Sequence, residues 1–206
     1  MSNVLVNKTH VAIVLDKSGS MSPLRQAAVR DLNSQLESIK KNAAPGSGLE
    51  AYVSLIIFDH EVGVLFNSMK PEEIPLMTAS QYAPSGNTAL YDAIAKAIDI
   101  IQPKINNPTD AALLVVITDG EENSSSQHNR ETVPARLKEL EASEQWTITY
   151  LGTKHNVGDF IQTLGASAGN TCSGIESLGT GTTSSMHDRY FTARKGGVRK
   201  LKDSYL

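Results

Sequence analysis

The sequence predicts an open, doubly wound α/β sheet, mostly parallel, with one antiparallel edge strand and helices on both faces. Two observations carry this expectation. Short, nearly continuous apolar runs rich in Val and Ile suit strands buried on both faces, and segments of helical periodicity separate them. Periodicity alone does not distinguish such a run from a buried helix, so the alternation matters. Residues 9–15 (THVAIVL) form the first run. Ser22-Pro23 follows as a cap with Pro at the first helical position, and Ala28, Val29, Leu32, Leu36 and Ile39 then share one face. Residues 51–58 and 61–66 flank Asp59-His60 and read as a hairpin, the source of the antiparallel edge. Leu90, Ile94, Ala97, Ile98 and Ile101 mark a second helix, and residues 111–118 (AALLVVIT) the next strand. Thr132-Val133-Pro134 opens a third helix through Val133, Leu137 and Leu140, before the strand-like residues 146–151 (WTITYL). Val157, Phe160, Ile161 and Leu164 suggest a short fourth helix. Residues 165–185 are rich in Gly, Ser and Thr and weakly patterned. Met186, Tyr190 and Ala193 suggest a last helix, which Gly196-Gly197 ends.

Composition sets the outer bounds. At 206 residues the chain is long enough for one substantial domain and short for two. Hydrophobic residues at 40%, charged residues at 20% and a single cysteine exclude intrinsic disorder and a disulfide scaffold. No repeat or linker divides the chain, so residues 1–195 are expected to form one domain and 196–206 a basic tail. Cys172 has no internal partner and no zinc-ligand spacing around it. No apolar run approaches the roughly 18 residues of a membrane span. The N-terminus lacks the basic and apolar regions of a signal peptide, so a reduced, cytoplasmic protein away from membranes is expected. The net charge of −3 conceals an asymmetry: residues 189–206, including Arg194, carry +5 and the remainder −8. An acidic body argues against sequence-independent nucleic-acid binding.

The chemistry lies just past two strand ends. The first run ends in Asp16-Lys17-Ser18-Gly19-Ser20, and the run at 111–118 is followed by Asp119-Gly120. Ligands of doubly wound sheets bind outside the carboxyl ends of strands, where the strand order reverses. Between these segments, Ser85-Gly86-Asn87-Thr88 leads into the second helix. Asp16, Ser18, Ser20, Thr88 and Asp119 offer two carboxylates and three hydroxyls without sulfur or imidazole. That is a hard oxygen set, suited to Mg²⁺ or Mn²⁺. Each residue also has a plainer reading. Ser18 and Ser20 would cap the following turn, Thr88 would be the N-cap of the second helix, and Asp119 a turn residue ahead of Gly120. Tyr82, Glu121, Glu122 and Gln127 read as rim or solvated loop. His60 and His155 read as ordinary turn histidines, and Cys172 as a small buried residue.

Asp16-x-Ser18-x-Ser20, Thr88 and Asp119, in that order, resemble the complete metal-ion-dependent adhesion site of von Willebrand factor A domains. Residues 86–94 (GNTALYDAI) and 117–120 (ITDG) are similar to bacterial and phage members, and the resemblance covers about residues 9–152. It implies a stand-alone intracellular member and a non-catalytic module. Ser18, Ser20 and Thr88 would contact the ion by hydroxyl, and Asp16 and Asp119 largely through water. A partner protein would present Asp or Glu at the remaining position. Ca²⁺ is a further ion the resemblance admits. Intracellular members of the family work beside AAA+ ATPases or with kinases and phosphatases of stress systems. Two other classes stand beside this reading. A Mg²⁺-dependent hydrolase or phosphatase of similar fold would need a second carboxylate two residues after Asp16, where Ser18 stands. A structural subunit would use the metal only to hold loops together.

Overall fold

The computed structural model describes residues 7–153, 164, 171–173 and 181–198. Its elements run β1 (Asn7–Asp16), a 3-10 turn (Gly19–Leu24), α1 (Arg25–Asn42), β2 (Leu49–Phe58), β3 (Val62–Met69), α2 (Leu90–Ile101), β4 (Ala111–Ile117), α3 (Thr132–Ala142), β5 (Trp146–Gly152), β6 (Thr171–Ser173) and α4 (Gly181–Lys195). The six strands form one sheet in the order β3-β2-β1-β4-β5-β6. Only β3 is antiparallel to its neighbour; β1 pairs in parallel with both β2 and β4. The chain leaves β1 toward one edge and returns to lay β4 on its other side. The strand order therefore reverses between β1 and β4, where Leu15 lies opposite Ile117.

The period of two along β1 builds both halves of the core. Val11, Ile13 and Leu15 face one layer with α1 and α4, including Leu32, Leu36, Ile39, Met186, Tyr190 and Phe191. Ala12 and Val14 face the other layer with α2 and α3, including Ile94, Ile98, Leu137 and Leu140. A strand buried on both faces has no polar position to spare, which is why β1 and β4 read as unbroken apolar runs. The predicted faces of α1, α2 and α3 are all buried.

Three expectations change. Ser22-Pro23 does not open α1: Pro23 lies inside the 3-10 turn, and α1 begins at Arg25. A short strand, β6, lies in the weakly patterned stretch, because its three residues need only add to the edge of β5. Arg194, included in the basic charge of residues 189–206 with no role of its own, is 1% exposed. Its guanidinium donates to Thr9 Oγ1 at 3.0 Å and to the carbonyls of Lys8 (2.9 Å), Thr109 (2.8 Å) and Val198 (3.2 Å). It fastens the end of α4 to the start of β1 and to the loop before β4. The helix expected through Val157, Phe160 and Ile161 lies outside the described residues, as do His155 and the side chain of Cys172. Among the described residues no helix is long and apolar enough to cross a membrane.

Arg194→Ala removes the donor to the buried Thr9 hydroxyl and to three part-buried carbonyls. It should lower the unfolding free energy by about 2–4 kcal/mol in urea melts, far beyond the effect of an exposed Lys or Arg.

Candidate metal centre

The three segments that carry the predicted site residues are tied together by backbone hydrogen bonds. Gly19 N–H donates to Gly86 O at 3.0 Å, and Ser85 N–H to Lys17 O at 2.7 Å. Gly86 has a φ of +72°, and an ideal Cβ there would lie 2.6 Å from His60 Nδ1. Both the turn and the close approach therefore require glycine. Asn123 joins the loop after β4 to Thr88. Its Oδ1 accepts Thr88 N–H at 2.8 Å, and its own N–H donates to Thr88 O at 3.0 Å. The Lys17 ammonium pairs with Asp59, whose carbonyl accepts Ala89 N–H at 2.7 Å.

The plainer readings of the hydroxyls fail on geometry. Ser18 precedes the 3-10 turn without a side-chain cap bond, and the N-cap of α2 is Ala89 rather than Thr88. The free donors of α2 go instead to the loop after β4: Tyr91 N–H to Glu122 Oε2 at 2.9 Å and Asp92 N–H to Ser125 Oγ at 3.1 Å. Asp92 in turn accepts the N–H groups of Ser126 (2.8 Å) and His128 (2.8 Å). Glu122 is therefore a clasp between loop and helix rather than a rim acid.

All five predicted residues meet at the end of the sheet. Ser18 Oγ lies 3.1 Å from Ser20 Oγ, which donates to Asp119 Oδ1 at 2.8 Å. An ideal Cβ on Gly120 would stand 3.1 Å from Thr88 Oγ1 and 3.5 Å from both Asp16 Oδ2 and Ser20 Oγ. Oxygens from three loops thus surround one small cradle that any side chain at 120 would enter. Asp16 is 0% exposed, Ser18 1% and Thr88 3%, whereas Ser20 is exposed and Asp119 intermediate. The cradle therefore has a buried floor and an open rim.

Asp16 is the electrostatic focus. Its Oδ1 accepts Ser18 N–H at 2.7 Å, and its Oδ2 accepts the Thr118 hydroxyl. Burial pushes the Asp16 carboxyl up to about 6, more than these bonds pull it down, and the Asp119 charge adds to the rise. Tyr82 is fully buried and donates its hydroxyl to the Asp16 carbonyl; burial pushes its phenol up, so it stays a donor. Tyr82, expected at the rim or in a solvated loop, lies instead fully buried beneath Asp16, and Thr118 and Asn123 are supporting residues that sequence reasoning did not single out. A threonine closing an apolar run one residue before Asp119 was the one local signal among them.

The donor set fits a hard divalent ion. Among the described residues no cluster of three or more His, Cys, Asp or Glu could hold a metal, so an ion in this cradle would have to use the hydroxyls. A buried carboxylate without a cation partner is also the arrangement that a cation relieves.

Comparison with known proteins shows the family and the fold. The family model of the von Willebrand factor type A domain matches residues 11–122, and the chain belongs to that family. The calcium-activated chloride channel regulator 1 of Sus scrofa is 30% identical over 190 residues, covering 82% of this chain and 20% of the relative. The chain thus spans about a fifth of that curated relative's length. The vWF domain of the pilus tip protein Mfa5 from Porphyromonas gingivalis shares the fold at a TM-score of 0.60 and 13% identity, over 96% of this chain and 98% of that one. Proximal thread matrix protein 1 of the mussel byssus, solved with a zinc-occupied MIDAS motif, aligns at a TM-score of 0.61 and 15% identity, over 92% of this chain and 46% of that one.

Two outcomes test the cradle. Gly120→Ala should leave the fold intact and weaken Mn²⁺ binding at least tenfold, measured by calorimetry, because the methyl enters the space among the oxygens. The second concerns pH. The folded carboxyl of Asp16 titrates near 6 against 3.8 unfolded, so ionised Asp16 costs the metal-free protein stability above about pH 6. That cost is relieved as pH falls from 6 toward 3.8. Saturating Mg²⁺ should therefore raise the melting temperature clearly at pH 7.5, and the gain should shrink on going below pH 6, where protons compete for Asp16.

Proposed function

We propose that this protein is a non-catalytic, metal-dependent binding module that recognises an acidic residue of a partner protein. Its ligands are Asp16, Ser18, Ser20, Thr88 and Asp119. The observation that carries this reading is the convergence of three neutral hydroxyls and two carboxylates on one open cradle at the strand-order reversal. Mg²⁺ is the ion best suited to such a set in the cell, with Mn²⁺ or Ca²⁺ able to substitute.

Bound there, the ion supplies a Lewis-acidic face whose charge the hydroxyl ligands do not quench, and an Asp or Glu from the partner complements it. This chain's residues do the rest. Asp16 stays anchored by Ser18 and Thr118, Asn123 holds Thr88 in place, and the loops at 70–84 and 121–130 shape the surrounding surface. Family members often mediate protein interactions. In this chain no second carboxylate follows Asp16 at the position a phosphatase would use. We place the protein in a reducing intracellular compartment, on the strength of its single cysteine. AAA+ ATPases and the kinases and phosphatases of stress systems are the first partners to test.

Mg²⁺ titration should show one site that Asp16→Ala abolishes. With a partner in hand, changing its key Asp or Glu to the amide should cost about 2–5 kcal/mol of affinity, the range for removing one member of a close charge pair. Thr88→Ala should weaken the same complex and leave the melt unchanged. Binding that survives EDTA and tolerates every such amide would refute the metal-mediated mechanism.

A further inference from the structure

Four large hydrophobic residues are exposed among the described residues, and three of them, Val64, Leu65 and Leu76, gather at the β3 edge of the sheet. Leu65 and Leu76 border a groove of about 250 Å³ that opens onto the core itself. Leu32, Leu36 and Leu55 are buried beneath it, and Phe66 completes its apolar wall. A groove of this kind differs from the scattered single apolar residues that any surface carries. β3 has no strand on its outer side, and its residues, Val62–Met69, include no charge and no proline, the usual guards of an edge. The Lys104 ammonium blunts only the far end, where it bonds Asn67 Oδ1 at 2.7 Å and the Ser68 hydroxyl. A register shift between Leu55 and Ile56 leaves Leu65 without a partner in the ladder, and its side chain lines the groove.

Charge decides what covers this edge. Glu61 precedes β3 and Lys70 follows it; both are exposed, and neither forms an ion pair among the described residues. Strand residues rise about 3.4 Å each, so these two charges stand roughly 25–30 Å apart and do not meet within one copy. A second copy laid antiparallel, about a two-fold axis near Leu65, brings each Glu61 toward the other copy's Lys70. The uncharged strand between them sets no like charges opposite each other. We propose that two copies of this chain associate edge to edge, β3 against β3, with Leu65 and Leu76 of each packed over the groove of the other. The contact is isologous: the same patch serves both copies, and the pairing closes at two. β2 separates this edge from β1, so the cradle residues take no part in the contact and the dimer needs no ion.

The test is the mass of the full chain in solution, by analytical ultracentrifugation across the micromolar range, in Mg²⁺ and in EDTA. Wild type should be a dimer in both. Leu65→Lys sets a charge in the apolar contact and should raise the dimer dissociation constant at least about tenfold, the usual cost of disrupting a central interface residue. Leu65 is exposed in the single copy, so the variant should still melt cooperatively; should it not, Leu76→Lys carries the same comparison. Glu61→Lys and Lys70→Glu, made singly, bring like charges together twice about the axis, and each should weaken the dimer by about three- to tenfold at low ionic strength. Glu61→Lys combined with Lys70→Glu should restore it, which at their separation within one copy only contact between copies can do. Wild type that stays monomeric overturns the inference and leaves the patch to a different protein. A dimer that dissociates in EDTA, one indifferent to the lysine variants, or a double charge swap that fails to recover the dimer overturns it equally. Metal binding is read apart from this, by the Mg²⁺ titration of Asp16→Ala, so either reading can fail alone.

Discussion

A carboxylate taken out of water at the end of the central strand is the constraint on which the rest of the site depends. Asp16 closes β1 at 0% exposure, and its side chain has nowhere to be solvated. Burial of an ionised carboxylate is tolerated only with hydrogen bonds to the charge. Ser18 N–H and the Thr118 hydroxyl supply those bonds, one from the loop that follows β1 and one from the end of β4. Each donor therefore does two things at once. It offsets part of the cost of burial, and it fixes where the Asp16 oxygens point. The Tyr82 bond to the Asp16 carbonyl extends the same logic to the backbone beneath.

From Asp16 outward the loops behave as one assembly. Gly19 is bonded to Gly86, Ser85 to Lys17 and Thr88 to Asn123, so the loops after β1 and β4 and the loop before α2 share their backbone partners. Asp92 and Glu122 close the arrangement by taking up the N–H groups of the loop at 124–128 and of α2. A carboxylate at a helix start and one in a loop would each be ordinary alone. Together they mean that the ligand-bearing loops are held by the helix and sheet ends rather than by an ion. The oxygens are consequently placed before any metal is bound, which lowers the ordering cost of binding one.

How much of this could be read from the sequence follows from the range of each interaction. Strands β1, β4 and β5 were legible because burial on both faces leaves an unbroken apolar run, and the hairpin because Asp59-His60 interrupts one. That Asp16, Ser18, Ser20, Thr88 and Asp119 lie together was legible because each sits at or a short distance past a strand end, or just before a helix. Arg194 was not, since its acceptors at Thr9, Lys8 and Thr109 lie 85 to 186 residues away in the chain. On sequence alone it was indistinguishable from the solvated lysines nearby. Tyr82 and Asn123 failed for the same reason: a hydroxyl or amide that positions a distant residue carries no local pattern, and Thr118 offered only its place before Asp119. Ser22-Pro23 misled because the 3-10 turn holds Pro23 near its end, and α1 begins only two residues later, at Arg25.

The same long-range character explains why the site can carry an unfavourable charge at all. Ionised Asp16 is a cost that the isolated loops could not bear, but β1 contributes to both halves of the core through alternate residues. The strand that carries Asp16 is buried from Thr9 to its end, with Val11, Ile13 and Leu15 packed on one side and Ala12 and Val14 on the other. Placing the strained carboxylate at the end of that strand lets the surplus of packing hold a group that is more stable with a cation nearby. Moved to the edge strand β3, none of whose residues is buried, the same carboxylate would turn to solvent and lose its bias toward an ion. Function at this site is thus set by which strand carries the acid as much as by the motif around it.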